Sequence, residues 1–74
     1  MWKDRIVLDS RILVGKPVIK GTRIAVEHIV GLLAAGWTVE RILRNYPQLK
    51  KQDIDAALKY AAETLKQEKI YSIS

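Results

Sequence analysis

Few residues in this 74-residue chain could carry out covalent chemistry. It has no cysteine and a single histidine, His28, so the usual metal-ligating and nucleophilic sets are missing. Asp53 and Asp55 are two residues apart, a spacing that does not put two carboxylates on one helix face. They make no acid–base pair. No catalytic residue, cofactor or metal is expected, and His28 reads as an exposed helical or interface residue. Positive charge is what the chain has in quantity: 13 Lys and Arg against 8 Asp and Glu, a net of +5. Charge of that sign favours contact with nucleic acid or with an acidic protein.

The charge is unevenly placed. Residues 1–25 hold six basic and two acidic groups, a net of +4, while residues 26–74 hold seven and six, a net of +1. Within the basic arm, Lys16, Lys20 and Arg23 lie on a short segment with turn-forming Gly15 and Gly21. Such cations supply sequence-independent affinity for phosphate. The alternative is a solvated hairpin in which Arg23 pairs with Glu27, one helical turn on. The segment is not a P-loop, because Gly21 is followed by Thr22-Arg23 and not by Lys-Ser or Lys-Thr. Arg41 and Arg44, further along, would assist phosphate contact.

The elements that would position these residues are short. Ile6-Val7-Leu8, Ile12-Leu13-Val14 and Val18-Ile19 are three β-prone runs separated by turn signals, which predicts a small hairpin or ribbon. A lone hairpin is marginal, so it must lie on the helices or pair with a second copy. Apolar periodicity predicts a first helix over Val26 to Ala35, with Gly36 as its C-cap, and a second over Val39 to Tyr46, capped by Thr38 and stopped by Pro47. A third runs from about Lys51 to Lys66 or Glu68, with Ile54, Ala57, Leu58, Ala61 and Leu65 in its stripe. Ala25 offers no acceptor to cap the first helix. Gly31 inside it is tolerated by strong neighbours or marks a close approach.

The fold class is therefore mainly α. A basic β-arm (1–25) precedes a three-helix helix-turn-helix unit (26–66) and a tail (67–74), all in one domain. If the third helix reads DNA, Lys51, Gln52, Asp55 and Lys59 face the groove; a plain helix surface explains the same residues. Trp37 is a packing residue at the turn or an anchor for a partner. Ile70, Tyr71 and Ile73 belong to a frayed terminus or to a segment that docks on a partner. Apolar residues make up 49% of the chain, enough for a core plus one sticky surface, so a homodimer or a heteromeric complex is expected. No run approaches the length of a membrane span, and residues 1–15 lack the features of a signal peptide, so a cytoplasmic protein without membrane contact is expected.

The run Gly15-Lys16-Pro17-Val18-Ile19-Lys20-Gly21-Thr22-Arg23-Ile24 is followed by Ala35-Gly36-Trp37, Tyr46-Pro47, Leu49, Asp53-Ile54 and Ala57-Leu58. With this pattern the chain resembles, over about residues 5 to 62, a family of small prokaryotic proteins catalogued as domain of unknown function 433. The resemblance implies a homeodomain-like three-helix fold behind a small β-element, often dimeric. It also implies a gene neighbour encoding a PIN-like ribonuclease, and hence a type II antitoxin that binds this toxin, with repression of its own promoter at operator DNA as a second role. Members often carry Pro where this chain has Ala25, and Ser or Thr and Glu where it has Lys50 to Gln52. The second departure makes the start of the third helix more basic and weakens its cap. Two readings stand side by side: a dimeric DNA-binding antitoxin, and a protein-interaction module that uses a helix-turn-helix shape as scaffold.

Overall fold

The computed structural model describes residues 1–67, the side chain of Val14 excepted. The arm opens with a 3-10 turn, Trp2–Arg5, that leads straight into strand β1, Ile6–Leu8. Strand β2, Pro17–Ile19, pairs with it antiparallel, with Ile6 opposite Ile19, Val7 opposite Val18 and Leu8 opposite Pro17. The middle β-prone run is not a strand. Asp9 Oδ1 accepts the Arg11 N–H at 2.9 Å, and the Ile12 N–H reaches the Asp9 carbonyl at 2.9 Å. Leu13 then takes a φ of +49°, and Leu13–Gly15 closes into a second 3-10 turn. Turn chemistry at Asp9 and Gly15 overrides the extended preference of the apolar residues between them.

The three helices are α1, Val26–Ala34, α2, Val39–Asn45, and α3, Lys51–Gln67, each within a residue or two of its expected bounds. The start of α1 has no side-chain cap. Instead Ala25 forms a single β-bridge to Val18, so the hairpin sets where the helix begins. At its end Gly36 has a φ of +96°, with Gly36 N–H on the Leu33 carbonyl and Trp37 N–H on the Leu32 carbonyl, each at 3.0 Å. These two bonds make a Schellman motif. Thr38 Oγ1 accepts the Arg41 N–H at 3.1 Å and caps α2. Tyr46 has left helical geometry, as a residue before proline should. Gly31 lies on an exposed face where an added Cβ would meet nothing within 4 Å. No element approaches it, and its neighbours carry the helix across it.

Four isoleucines fill the centre. Ile19 of β2, Ile29 of α1, Ile42 of α2 and Ile54 of α3 are all fully buried, with Val26, Leu49 and Ala57 around them. Burying one such side chain contributes about 1.5–3 kcal/mol. Ala56 and Ala57 are also fully buried, where larger side chains would push α3 off its neighbours. The helix packs chiefly on α1 and on the N-terminal turn. That turn is consequently part of the folded unit and not a loose extension.

Candidate nucleic-acid and partner interface

The link between β2 and α1 displays two cations. Gly21 takes a φ of +81°, which a side chain would resist. Thr22 Oγ1 donates to the Ile19 carbonyl at 2.8 Å and accepts the Ile24 N–H at 3.0 Å, while Ile19 N–H bonds the Ile24 carbonyl at 3.0 Å. Gly21, Thr22 and the two isoleucines thus lock the turn, and Lys20 and Arg23 stand exposed on its outside. Arg23 does not pair with Glu27. Lys16 does, at 2.6 Å, because the residue before β2 lies alongside the first turn of α1. Lys16 is therefore already matched by a carboxylate, whereas no acidic partner reaches Lys20 or Arg23 among the described residues.

On α2 the guanidinium of Arg41 lies 3.9 Å from the centre of the Trp37 ring. This stacking holds a flexible cation in place. Trp37 itself is half-buried and packs on the core, which is the packing role expected for it. Arg44 is exposed one turn further along, and Asn45 Nδ2 donates to the Arg41 carbonyl at 2.8 Å. His28 Nε2 and Tyr46 Oη are 2.8 Å apart, with the rings edge to face, which ties α1 to the end of α2.

The start of α3 differs most from expectation. Asp53, whose side chain the sequence reading gives no role beyond its spacing from Asp55, is buried. Its Oδ1 accepts from Arg5 Nη1 at 2.8 Å, and its Oδ2 accepts the Lys50 N–H at 2.9 Å. The second bond is the N3 half of a capping box; the half that a Ser or Thr at position 50 would supply is missing. Arg5 in turn receives the Lys20 N–H on its carbonyl at 2.7 Å. A chain of three hydrogen bonds therefore links the Lys20 turn to the start of α3, where Lys50 and Lys51 are exposed. Lys51, Gln52, Asp55 and Lys59 are exposed as expected. However, Trp2 and Arg5 join Gln52, Asp55 and Lys59 in lining one shallow hollow of about 180 Å³. The N-terminal turn stands beside the face assigned to a DNA groove.

On its other side Trp2 lines a second hollow, of about 270 Å³, with Ile6, Leu8 and Tyr60 as its apolar walls and Lys3 and Glu63 among its polar ones. Leu8 is 63% exposed and Leu65 58%, and Leu58 is also open to solvent. Ile70, Tyr71 and Ile73 lie outside the described residues. Among the described residues no three His, Asp or Glu side chains converge as a metal site would need, and no helix is long and apolar enough to cross a membrane. Sequence reasoning passed over Trp2, Arg5 and the buried role of Asp53. The signal for the last was present, since an Asp at the third position of a helix is half of a capping box.

A family model described as "Protein of unknown function (DUF433)" matches residues 6–61. The uncharacterized protein y4eO of Sinorhizobium fredii is 44% identical over 59 residues, 80% of this chain and 27% of that protein. An uncharacterized protein of Archaeoglobus fulgidus is 67% identical over 24 residues, which are 32% of this chain and 67% of the relative. The crystal structure of a DUF433 member protein from Anabaena variabilis superimposes with a TM-score of 0.81 at 29% identity, covering 88% of this chain and 64% of that one. The chain thus spans about a quarter of y4eO and just under two thirds of the crystallised relative.

Proposed function

The chain belongs to the DUF433 family, and from that premise we propose that it is the binding subunit of a toxin–antitoxin pair, seated on a PIN-like nuclease, with DNA, operator or other, as a second ligand held by its phosphates. The observation that favours protein binding over base reading is the place of Trp2–Arg5. A recognition helix needs its outer face clear of its own chain. Here Trp2 and Arg5 border Gln52, Asp55 and Lys59. Among the apolar residues exposed in the described part of the chain, Leu8, Leu58 and Leu65 suit a protein partner. DNA contact would then run through the unmatched cations Lys20, Arg23, Arg44 and Lys51, which attract phosphate or an acidic surface without reading sequence.

Co-expression with the neighbouring nuclease, followed by gel filtration and an RNA-cleavage assay, tests this reading. The expected result is a stable complex in which cleavage is suppressed. In a salt-titrated shift assay, upstream and scrambled DNA of equal length should bind alike, and K20E/R23E should weaken both and flatten the salt dependence. Free chain and fully active nuclease eluting apart would overturn the proposal. Preference for upstream DNA that survives moderate salt would restore base reading by α3.

A further inference from the structure

We infer that the outer edge of β1, with the hollow beside it, is the docking site for an extended strand of another protein whose apolar residues are flanked by carboxylates. The inference rests on the protein-binding reading above and adds to it a place and a chemistry.

Main-chain groups along an antiparallel strand point alternately toward and away from the neighbour. The Lys20 N–H bonds the Arg5 carbonyl, which makes Arg5–Lys20 and Val7–Val18 the pairs that face each other. Ile19 turns its N–H the other way, to Ile24, and the Ile6 N–H bonds Lys3. The Ile6 carbonyl and the Leu8 N–H are left on the outer edge, without a partner among the described residues. An added strand takes its affinity from such groups and its specificity from pockets under alternate side chains. The pocket is present: Ile6 and Leu8 share a face and line the hollow closed by Trp2 and Tyr60. Leu8, more than half exposed, is the kind of apolar edge residue that a free strand would be expected to avoid.

Charge selects the occupant. Arg5, Arg11 and Lys16 are matched by Asp53, Asp9 and Glu27. Lys3, in the wall of the hollow, and Lys20 and Arg23, beyond the end of β2, have no acidic partner among the described residues; Glu63 is the one carboxylate in the hollow's wall, so the uncompensated charge of the arm as a whole is positive. Edge-to-edge pairing with a second copy would bring two arms of net +4 together. A strand from a different chain with acidic flanks meets that charge with the opposite sign.

The test titrates the isotope-labelled full chain with a blocked Glu-Leu-Thr-Leu-Glu peptide and with its Lys-flanked counterpart, read by NMR. The acidic peptide should bind roughly tenfold tighter, with shifts at Trp2, Ile6 and Leu8 and slowed exchange of the Leu8 amide. L8P removes the outward N–H without touching the β1–β2 ladder, and L8K charges the edge while keeping that N–H. Both should lose about tenfold in affinity, and L8K is the arbiter if L8P does not fold. Equal binding of the two peptides, or shifts confined to α2, would overturn the inference. So would protection of the Leu8 amide by concentration-dependent self-association, which would assign the edge to a second copy. A nuclease complex indifferent to L8K would sink the edge and spare the nuclease, whereas peptide binding without a nuclease complex would do the reverse.

Discussion

Arg and Asp meet twice in this chain, and the two meetings do different things. Asp9 and Arg11 are two residues apart, with Arg11 Nη2 at 3.0 Å from the carboxylate and the Arg11 side chain largely in solvent. Asp9 also accepts the Arg11 N–H, so the pair fixes one turn and reaches no other element. Arg5 and Asp53 are 48 residues apart and meet at 2.8 Å, with the Asp53 side chain only 9% exposed. The second oxygen of Asp53 caps α3, so one carboxylate joins the arm, the hairpin and the helix start. Identical chemistry becomes structural where the partners come from distant parts of the chain and the carboxylate is withdrawn from water, even though the Arg5 side chain stays 38% exposed. Among the described residues the arm is held to the helices by two ion pairs, Arg5–Asp53 and the exposed Lys16–Glu27, and by the apolar packing around them.

Variants can break or sharpen this contrast. The largest effect is expected from Asp53→Ala, which strands Arg5 and orphans the Lys50 N–H. Stability should fall by about 2–4 kcal/mol, read from the urea midpoint, with loss of the hairpin amide signals. A loss too small to resolve would make the two pairs equivalent and sink the contrast. Arg5→Lys keeps the charge but not the planar fork, so about 1 kcal/mol should go while the arm stays docked. The smallest effect belongs to the local pair: Asp9→Asn should move the midpoint least of the three. Its signature is in titration instead. The Arg11 side chain first, and its N–H second, hold the Asp9 carboxyl below the ordinary carboxylate range. A lowered carboxyl favours the folded state above its unfolded pKa, and that contribution is lost as pH falls through the lowered folded value. The Asp9 carboxyl resonance should therefore titrate at lower pH than a free Asp, and move back up in Arg11→Gln.

The helices were legible because their signals are local. Gly36, Thr38 and Pro47 each act on residues within one turn, and the Schellman and N-cap bonds form where the sequence predicts them. The hairpin was legible in its outer strands and not in Ile12-Leu13-Val14, where apolar content suggests a strand but the flanking Asp9 and Gly15 close turns. The ion pairs were the least legible. Arg23–Glu27 had helical spacing in its favour, yet Lys16 reached the carboxylate first because β2 runs beside α1. Nothing local links Arg5 to Asp53, and Trp2 takes its meaning only from the helix it lies against. Of the candidate site, the exposure of Lys20, Arg23, Arg44 and Lys51 followed from the sequence. The intrusion of the N-terminal turn beside α3 did not, since it depends on packing across the whole chain.

The 48-residue separation of Arg5 and Asp53 also has a meaning in time. Ribosomes add about 5–20 residues per second, so Arg5 is made roughly 2–10 seconds before the carboxylate that holds it. Over that interval the nascent arm carries Ile6, Leu8 and its strand edge without α3 to lie on. The β1 edge, unpaired among the described residues, is exposed even earlier on the ribosome, before any of the helices is there to shield the residues beside it.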